Sequence, residues 1–65
     1  MPLREWIIRA RLEQARRQLA TGTLLPVGTV ARRCGFTNVT HFARRFRDTY
    51  GIPPGEWQRQ FVGRS

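Results

Sequence analysis

The sequence predicts an all-α fold, a small helical domain of about four helices. Three observations predict it. Apolar residues recur at i, i+3, i+4 and i+7 along the chain, and no stretch alternates as a strand would. Gly22, Gly35 and Gly51 and the Pro53-Pro54 pair fall where these periodic segments end. Arginines occupy the arcs between the apolar stripes, and the third segment has one greasy and one cationic side.

The first helix is expected over about 3–20. Pro2 suits the first helical position and Gly22 a stop. Ile8, Leu12, Ala15 and Leu19 form one apolar stripe, and Leu3, Trp6, Ile7 and Ala10 form a second on roughly the opposite side. Arg4, Arg9, Arg16 and Arg17 lie between them, and Arg9, Arg16 and Arg17 read as ordinary solvated charges. Glu5 and Glu13 stand three or four residues from Arg9, Arg16 and Arg17, the spacing of helical ion pairs. A helix with two apolar stripes has two things to pack on, and the rest of so short a chain covers one. Leu3, Trp6, Ile7 and Ala10 are therefore expected to form either a partner surface or the face left by a missing neighbour.

A loop over 21–25 leads to a second helix over about 26–34. It carries Val27, Val30, Ala31 and Cys34 on one face and Gly28, Thr29, Arg32 and Arg33 on the other. Gly35 ends it in the left-handed conformation and Phe36 follows as a hydrophobic plug. Asn38 is the expected N-cap of the third helix, with Thr37 a rival. That helix, about 39–50, gathers Val39, Phe42, Ala43, Phe46 and Tyr50 within an arc of about 100°. Thr40, His41, Arg44, Arg45, Arg47 and Asp48 take the remaining arc. Gly51 closes it. A short fourth helix, about 54–61, pairs Trp57 with Phe61, and 62–65 is expected to fray.

Sixty-five residues allow one small domain. The formal charge of +8 comes from twelve basic and four acidic residues, and every basic residue is Arg. Arg codons are GC-rich, so base composition is one account of the absence of Lys, and selection for the Arg fork is the other. The charge itself favours nucleic acid or an anionic surface, and the Arg fork matches phosphate and guanine edges. Cys34 is the one cysteine and His41 the one histidine, so no internal disulfide, metal site or cofactor is expected. Cys34 reads as a small buried hydrophobe. No apolar run approaches the ~20 residues of a membrane span and no signal-peptide pattern opens the chain, which predicts a cytoplasmic location. Paired carboxylates, a nucleophile–base pair and a phosphate-binding loop are all missing from the pattern, so no enzyme is predicted.

Two short helices joined by a Gly-containing turn, the second basic on its outer face, fit the helix-turn-helix description. The specific residues go further. Ala31, Gly35, Phe36, Phe42, Arg44, Phe46, Tyr50, Gly51, Pro54 and Trp57 resemble, at their spacings, the signature of the AraC/XylS family of bacterial transcription regulators. Arg11-Leu12, Ala15 and Leu19 resemble that family's linker helix, and the likeness covers about 3–60. Two departures stand out. The family's DNA-binding unit carries two helix-turn-helix motifs flanking the linker, whereas this sequence shows the linker and one motif. Its last aromatic is usually Tyr followed by Arg, here Trp57-Gln58 with Arg59 a place later.

The resemblance implies a homeodomain-like helical fold and a bacterial, nucleoid-associated protein that binds double-stranded DNA and regulates transcription. Its third helix would enter the major groove, braced by the second. Thr40, His41 and Arg44, outward and in the N-terminal half of that helix, would form the reading edge. Arg44 suits a guanine, with a phosphate or Asp48 as competing partners. Thr37, Asn38, Arg45 and Arg47 suit phosphates, and Thr29, Arg32 and Arg33 would touch the backbone from the second helix. The second apolar stripe of the first helix would meet the absent first motif or a dimer partner. Two other readings compete. One is a protein-interaction module contacting RNA polymerase or another subunit. The other is a basic amphipathic membrane-surface helix, disfavoured because the apolar positions are spread over four segments.

Overall fold

The computed structural model describes residues 3–63 and contains four helices in chain order: α1 Leu3–Leu19, α2 Val27–Arg33, α3 Val39–Tyr50 and α4 Pro54–Arg59. No strand occurs among the described residues. Each helix contacts every other. The role expected for Pro2 lies outside the described residues.

The core is assembled from the stripes read off the sequence. Leu12, Ala15 and Leu19 of α1, Val30 and Ala31 of α2, Cys34, Phe36, and Phe42 and Phe46 of α3 are all buried. Ile8, Leu25, Val27, Tyr50 and Trp57 pack around them. The aromatic rings form a continuous row, with centroids 4.9 Å apart for Phe36–Phe42, 5.8 Å for Phe42–Phe46 and 4.7 Å for Phe46–Tyr50. All three pairs are tilted, the arrangement that ring quadrupoles favour. Burial also pushes the Cys34 thiol up from its ordinary value.

The corner between α2 and α3 owes its shape to Gly35, whose φ of 96° is left-handed. The Phe36 amide donates to the Ala31 carbonyl at 2.9 Å and the Gly35 amide to Arg32 at 3.0 Å. These two bonds are the Schellman closure of a helix end, and they turn Phe36 into the core. The Arg11 side chain lies over this turn. Its Nη1 donates to the Gly35 carbonyl at 3.4 Å, and a Cβ added at Gly35 would stand 3.0 Å from its Nε. Of the two N-cap candidates the structure selects Asn38, whose Oδ1 accepts the His41 amide at 3.0 Å.

A polar cluster ties α1 to α3 and α4. The Glu13 carboxylate accepts from Arg16, from Arg17 Nε at 3.4 Å and from the Tyr50 hydroxyl at 3.1 Å. The Arg16 guanidinium lies 5.7 Å from the Tyr50 ring centre and 5.9 Å from that of Trp57. Trp57 Nε1 donates to the Arg16 carbonyl at 3.0 Å. Arg16 is thus a tertiary tie, not the plain solvated charge expected. Its hydrogen bond, working against desolvation and aided by Tyr50 and Arg17, holds the Glu13 carboxyl down at about 2. Burial first, then the bond to Glu13, raises the Tyr50 phenol.

The C-terminal segment differs from expectation in two respects. Helix α4 ends at Arg59 rather than near Phe61, because the chain tightens to i→i+3 bonds. The Gln60 amide donates to Trp57 and the Phe61 amide to Gln58, at 3.2 and 3.0 Å. Val62 is half-buried and its amide donates to the Gln58 carbonyl, so it is packed and not frayed, while the part of that expectation at 64–65 lies outside the described residues. The Phe61 carbonyl would lie 3.3 Å from a Cβ at Gly22, a close approach that keeps the end of α1 against the C-terminal turn. Gln58 Nε2 donates to the carbonyls of Thr23 and Leu25, at 3.0 and 2.6 Å. The residue that departs from the family pattern therefore clamps the α1–α2 loop.

Candidate nucleic-acid interface

Helix α3 divides cleanly between core and solvent. Phe42 and Phe46 are sealed inside, which sends Thr40, His41, Arg44, Arg47 and Asp48 outward, all exposed. The i, i+4, i+7 spacing of Thr40, Arg44 and Arg47 lines them along one side of the helix. Thr40, Ala43, Arg44 and Arg47 border one shallow groove on this face, and Asn38, Thr40, His41 and Arg44 border its neighbour. Thr40 and Arg44 sit on the ridge between the two. Asn38 and Thr37 are exposed at the N-terminal end of the same helix. The Asn38 oxygen is committed to the cap, so its amide N–H groups are the side-chain donors it retains.

The other expected contacts fall less uniformly. Arg32 and Arg33 are exposed in the last turn of α2, while Thr29 is half-buried. Arg45 is half-buried, and its guanidinium is taken. Its Nη2 donates to both oxygens of Glu5, at 2.6 and 2.9 Å, across 40 positions of sequence. The expectation of a free phosphate ligand at Arg45 does not describe this fold. Nor does the expected pairing of Glu5 with Arg9: α3 packs on α1 and brings Arg45 to the carboxylate instead, with Arg9 acting only through its field. Arg45, ahead of Arg9, holds the Glu5 carboxyl below the ordinary range.

Charge is consequently sorted. Glu5 and Glu13 are spent on Arg45, Arg16 and Arg17, on the α1 side. Asp48 reaches Arg47 at 3.8 Å, both exposed, a pair of little strength in water. Arg44 is in no ion pair among the described residues, and Asp48 does not take it as the i+4 spacing allowed. A helix presenting unpaired Arg44, weakly paired Arg47 and polar Thr40 and His41 suits an anionic groove with hydrogen-bonding edges. Among the described residues no helix is long and apolar enough to cross a membrane, and no cluster of three or more His, Cys, Asp or Glu side chains could hold a metal ion.

On α1, Trp6 is 62% and Leu3 72% exposed, Ala10 is exposed and Ile7 half-buried. Leu3, Ile7 and Ile8, with Arg4 and Arg11, line an open hollow there. Leu24, in the loop after α1, is also 82% exposed.

An outward basic helix braced by a shorter one across a Gly-Phe corner defines a helix-turn-helix protein. A family profile described as "Helix-turn-helix domain" matches residues 1–60. The transcriptional activator NphR of a Rhodococcus species is 47% identical over 57 residues, covering 88% of this chain and 17% of NphR. The HTH-type transcriptional regulator GbdR of Pseudomonas aeruginosa PAO1 is 39% identical over 59 residues, 89% of this chain and 16% of GbdR. The chain belongs to the AraC-type helix-turn-helix family of bacterial DNA-binding transcription regulators. It spans about a sixth of the length of these relatives. No solved structure matches it.

Among the contacts that escaped the sequence reading, three support the candidate interface: the Glu5–Arg45 pair, the Gln58 clamp, and Arg11 laid over the Gly35 turn. All three join residues 24 or more positions apart, beyond any periodicity. A carboxylate one turn into a helix otherwise rich in Arg was the one available hint for Glu5.

Proposed function

We propose that this chain binds double-stranded DNA sequence-specifically as one half of a reader, laying α3 in the major groove with α2 across the backbone, and acts on transcription from the bacterial cytoplasm. The carrying observation is Arg44: exposed, unpaired among the described residues, and flanked by Thr40 and His41 along two grooves of the same face. Arg44 bonds a guanine edge bidentately, an interaction worth about 1–3 kcal/mol of discrimination. Thr40 and His41 take neighbouring base edges or a phosphate. Arg47, Thr37, the Asn38 amide, Arg32 and Arg33 take phosphates and fix the register. Thr29, half-buried, contributes through its position in α2.

The Leu3, Trp6, Ile7 and Ala10 face supports a second element in the same reading. Two large exposed apolar side chains in one helical turn suit a docked helical unit, a preceding helix-turn-helix or a partner chain, with RNA polymerase as the other protein partner.

A mobility-shift titration against selected and random duplexes at several salt concentrations tests the reading. Binding is expected to fall steeply with salt and to be micromolar or weaker at physiological ionic strength, as suits one module. Arg44→Ala should abolish the preference for the selected duplex. Arg47→Ala should weaken both duplexes alike and reduce the salt slope by about 0.9, the value of one phosphate. Salt-insensitive binding, or none at low salt, rejects the proposal.

A further inference from the structure

Arg45 follows Arg44 by one position, about 100° round α3. That rotation takes it off the outward face and towards α1. There both oxygens of Glu5 accept from its Nη2, and the two side chains retain only 31% and 40% of their exposure. The Arg45 Nε is buried with no hydrogen-bond partner. A guanidinium that leaves one N–H unsatisfied to keep both carboxylate oxygens is held by its partner, not by the reach of its own bonding options. Every other arginine of α3 stays in solvent.

We infer that Glu5 is a positioning residue for DNA binding: by holding the Arg45 guanidinium against α1 it withholds that charge from the DNA backbone and limits the phosphates that α3 engages. This rests on the DNA-binding reading above. Glu5 belongs to the first turns of α1, whereas Arg45 sits in the middle of α3, so the pair also fixes how the reading helix lies on the linker helix. A chain carrying +8 binds any duplex through its phosphates, and each additional free arginine adds affinity that carries no sequence information. Withholding one arginine next to the base reader trims that term without touching Arg44. A carboxylate is the suitable keeper, because two charge-assisted bonds in a half-buried site compete with a solvated phosphate where a neutral group would not.

Fluorescence-anisotropy titrations of a random duplex over a range of salt, on the full chain, test this. Glu5→Gln is expected to bind several-fold tighter at low salt and to steepen the salt slope by about 0.9, one phosphate. Arg45→Ala in the otherwise unchanged protein should leave the slope where it was, and Glu5→Gln placed on top of Arg45→Ala should add no further phosphate. Glu56→Gln removes an equal charge from an exposed site on α4 and serves as the control for net charge. The inference is overturned if Arg45→Ala alone flattens the slope by one phosphate, or if Glu56→Gln steepens it as much as Glu5→Gln does. Should a variant fail to fold by circular dichroism, the unmodified protein decides. Carboxyl NMR should find the Glu5 titration equally depressed with and without DNA, and a return to the ordinary range on DNA binding would mean that Arg45 leaves for a phosphate. Failure of the unmodified chain to bind DNA rejects the DNA-binding reading itself, whereas failure confined to these variants rejects only the role of Glu5.

Discussion

Single residues set the two hinges of the helix-turn-helix. Asn38 supplies the acceptor that starts α3, and Gly35 the left-handed turn that ends α2. Any side chain at Gly35 meets both an unfavourable φ and the Arg11 guanidinium, although the latter can swing away. Gly35→Ala is expected to cost about 1–2 kcal/mol. In a domain of this size that lowers the thermal midpoint by roughly 4–8 °C per kcal/mol, which calorimetry reads directly. DNA affinity measured well below the midpoint should change little, because the side chains proposed to read bases all lie beyond the turn. Arg44 and Arg45 show how much one position matters. Adjacent and chemically identical, they are expected to behave oppositely on DNA, because α3 turns one to solvent and the other to Glu5.

At the scale of elements, α3 is held by its aromatic row and the polar cluster around Glu13. Phe46 touches both neighbours of that row, Phe42 and Tyr50, and has no exposure. Phe46→Ala is expected to cost about 3–5 kcal/mol. A chain of this length has about 3–10 kcal/mol in all, so loss of the cooperative thermal transition is the expected calorimetric result. The Glu13 cluster adds a dependence on pH. Its carboxyl is depressed from 4.5 to about 2, so the stabilisation is in full force above 4.5 and fades as pH falls towards 2. Thermal midpoints should therefore hold near neutrality and decline through that acid window. Glu13→Gln should lower the midpoint at neutral pH and flatten the decline, leaving the smaller share that comes from Glu5. Because Glu13 is partly exposed, the effect should be modest and should shrink in high salt.

For the whole molecule, the helices, their order and their buried faces were legible from 65 residues. Periodicity located Leu12, Ala15, Leu19, Val30, Ala31, Phe42 and Phe46, and glycines and prolines located the breaks, since both signals act within a few residues of themselves. The outward set Thr40, His41, Arg44, Arg47 and Asp48 followed from the same periodicity, being what remains when the apolar arc turns inward, but Arg45, placed in that set too, is turned to Glu5 instead. Exposure of Trp6 and Leu3 was equally legible, because two stripes on α1 exceed what three short helices cover. The sequence by itself thus determined which side of each helix meets the core and most of the residues left exposed. Only the tertiary structure decided how the charges were distributed. It gave Glu5 to Arg45 and not Arg9, made Arg16 a link between Tyr50 and Trp57, and turned Gln58 into a loop clamp. The physical reason is distance along the chain. Hydrophobic patterning is written at spacings of three and four, whereas an ion pair needs only proximity in space, and packing α3 on α1 created that across 40 residues.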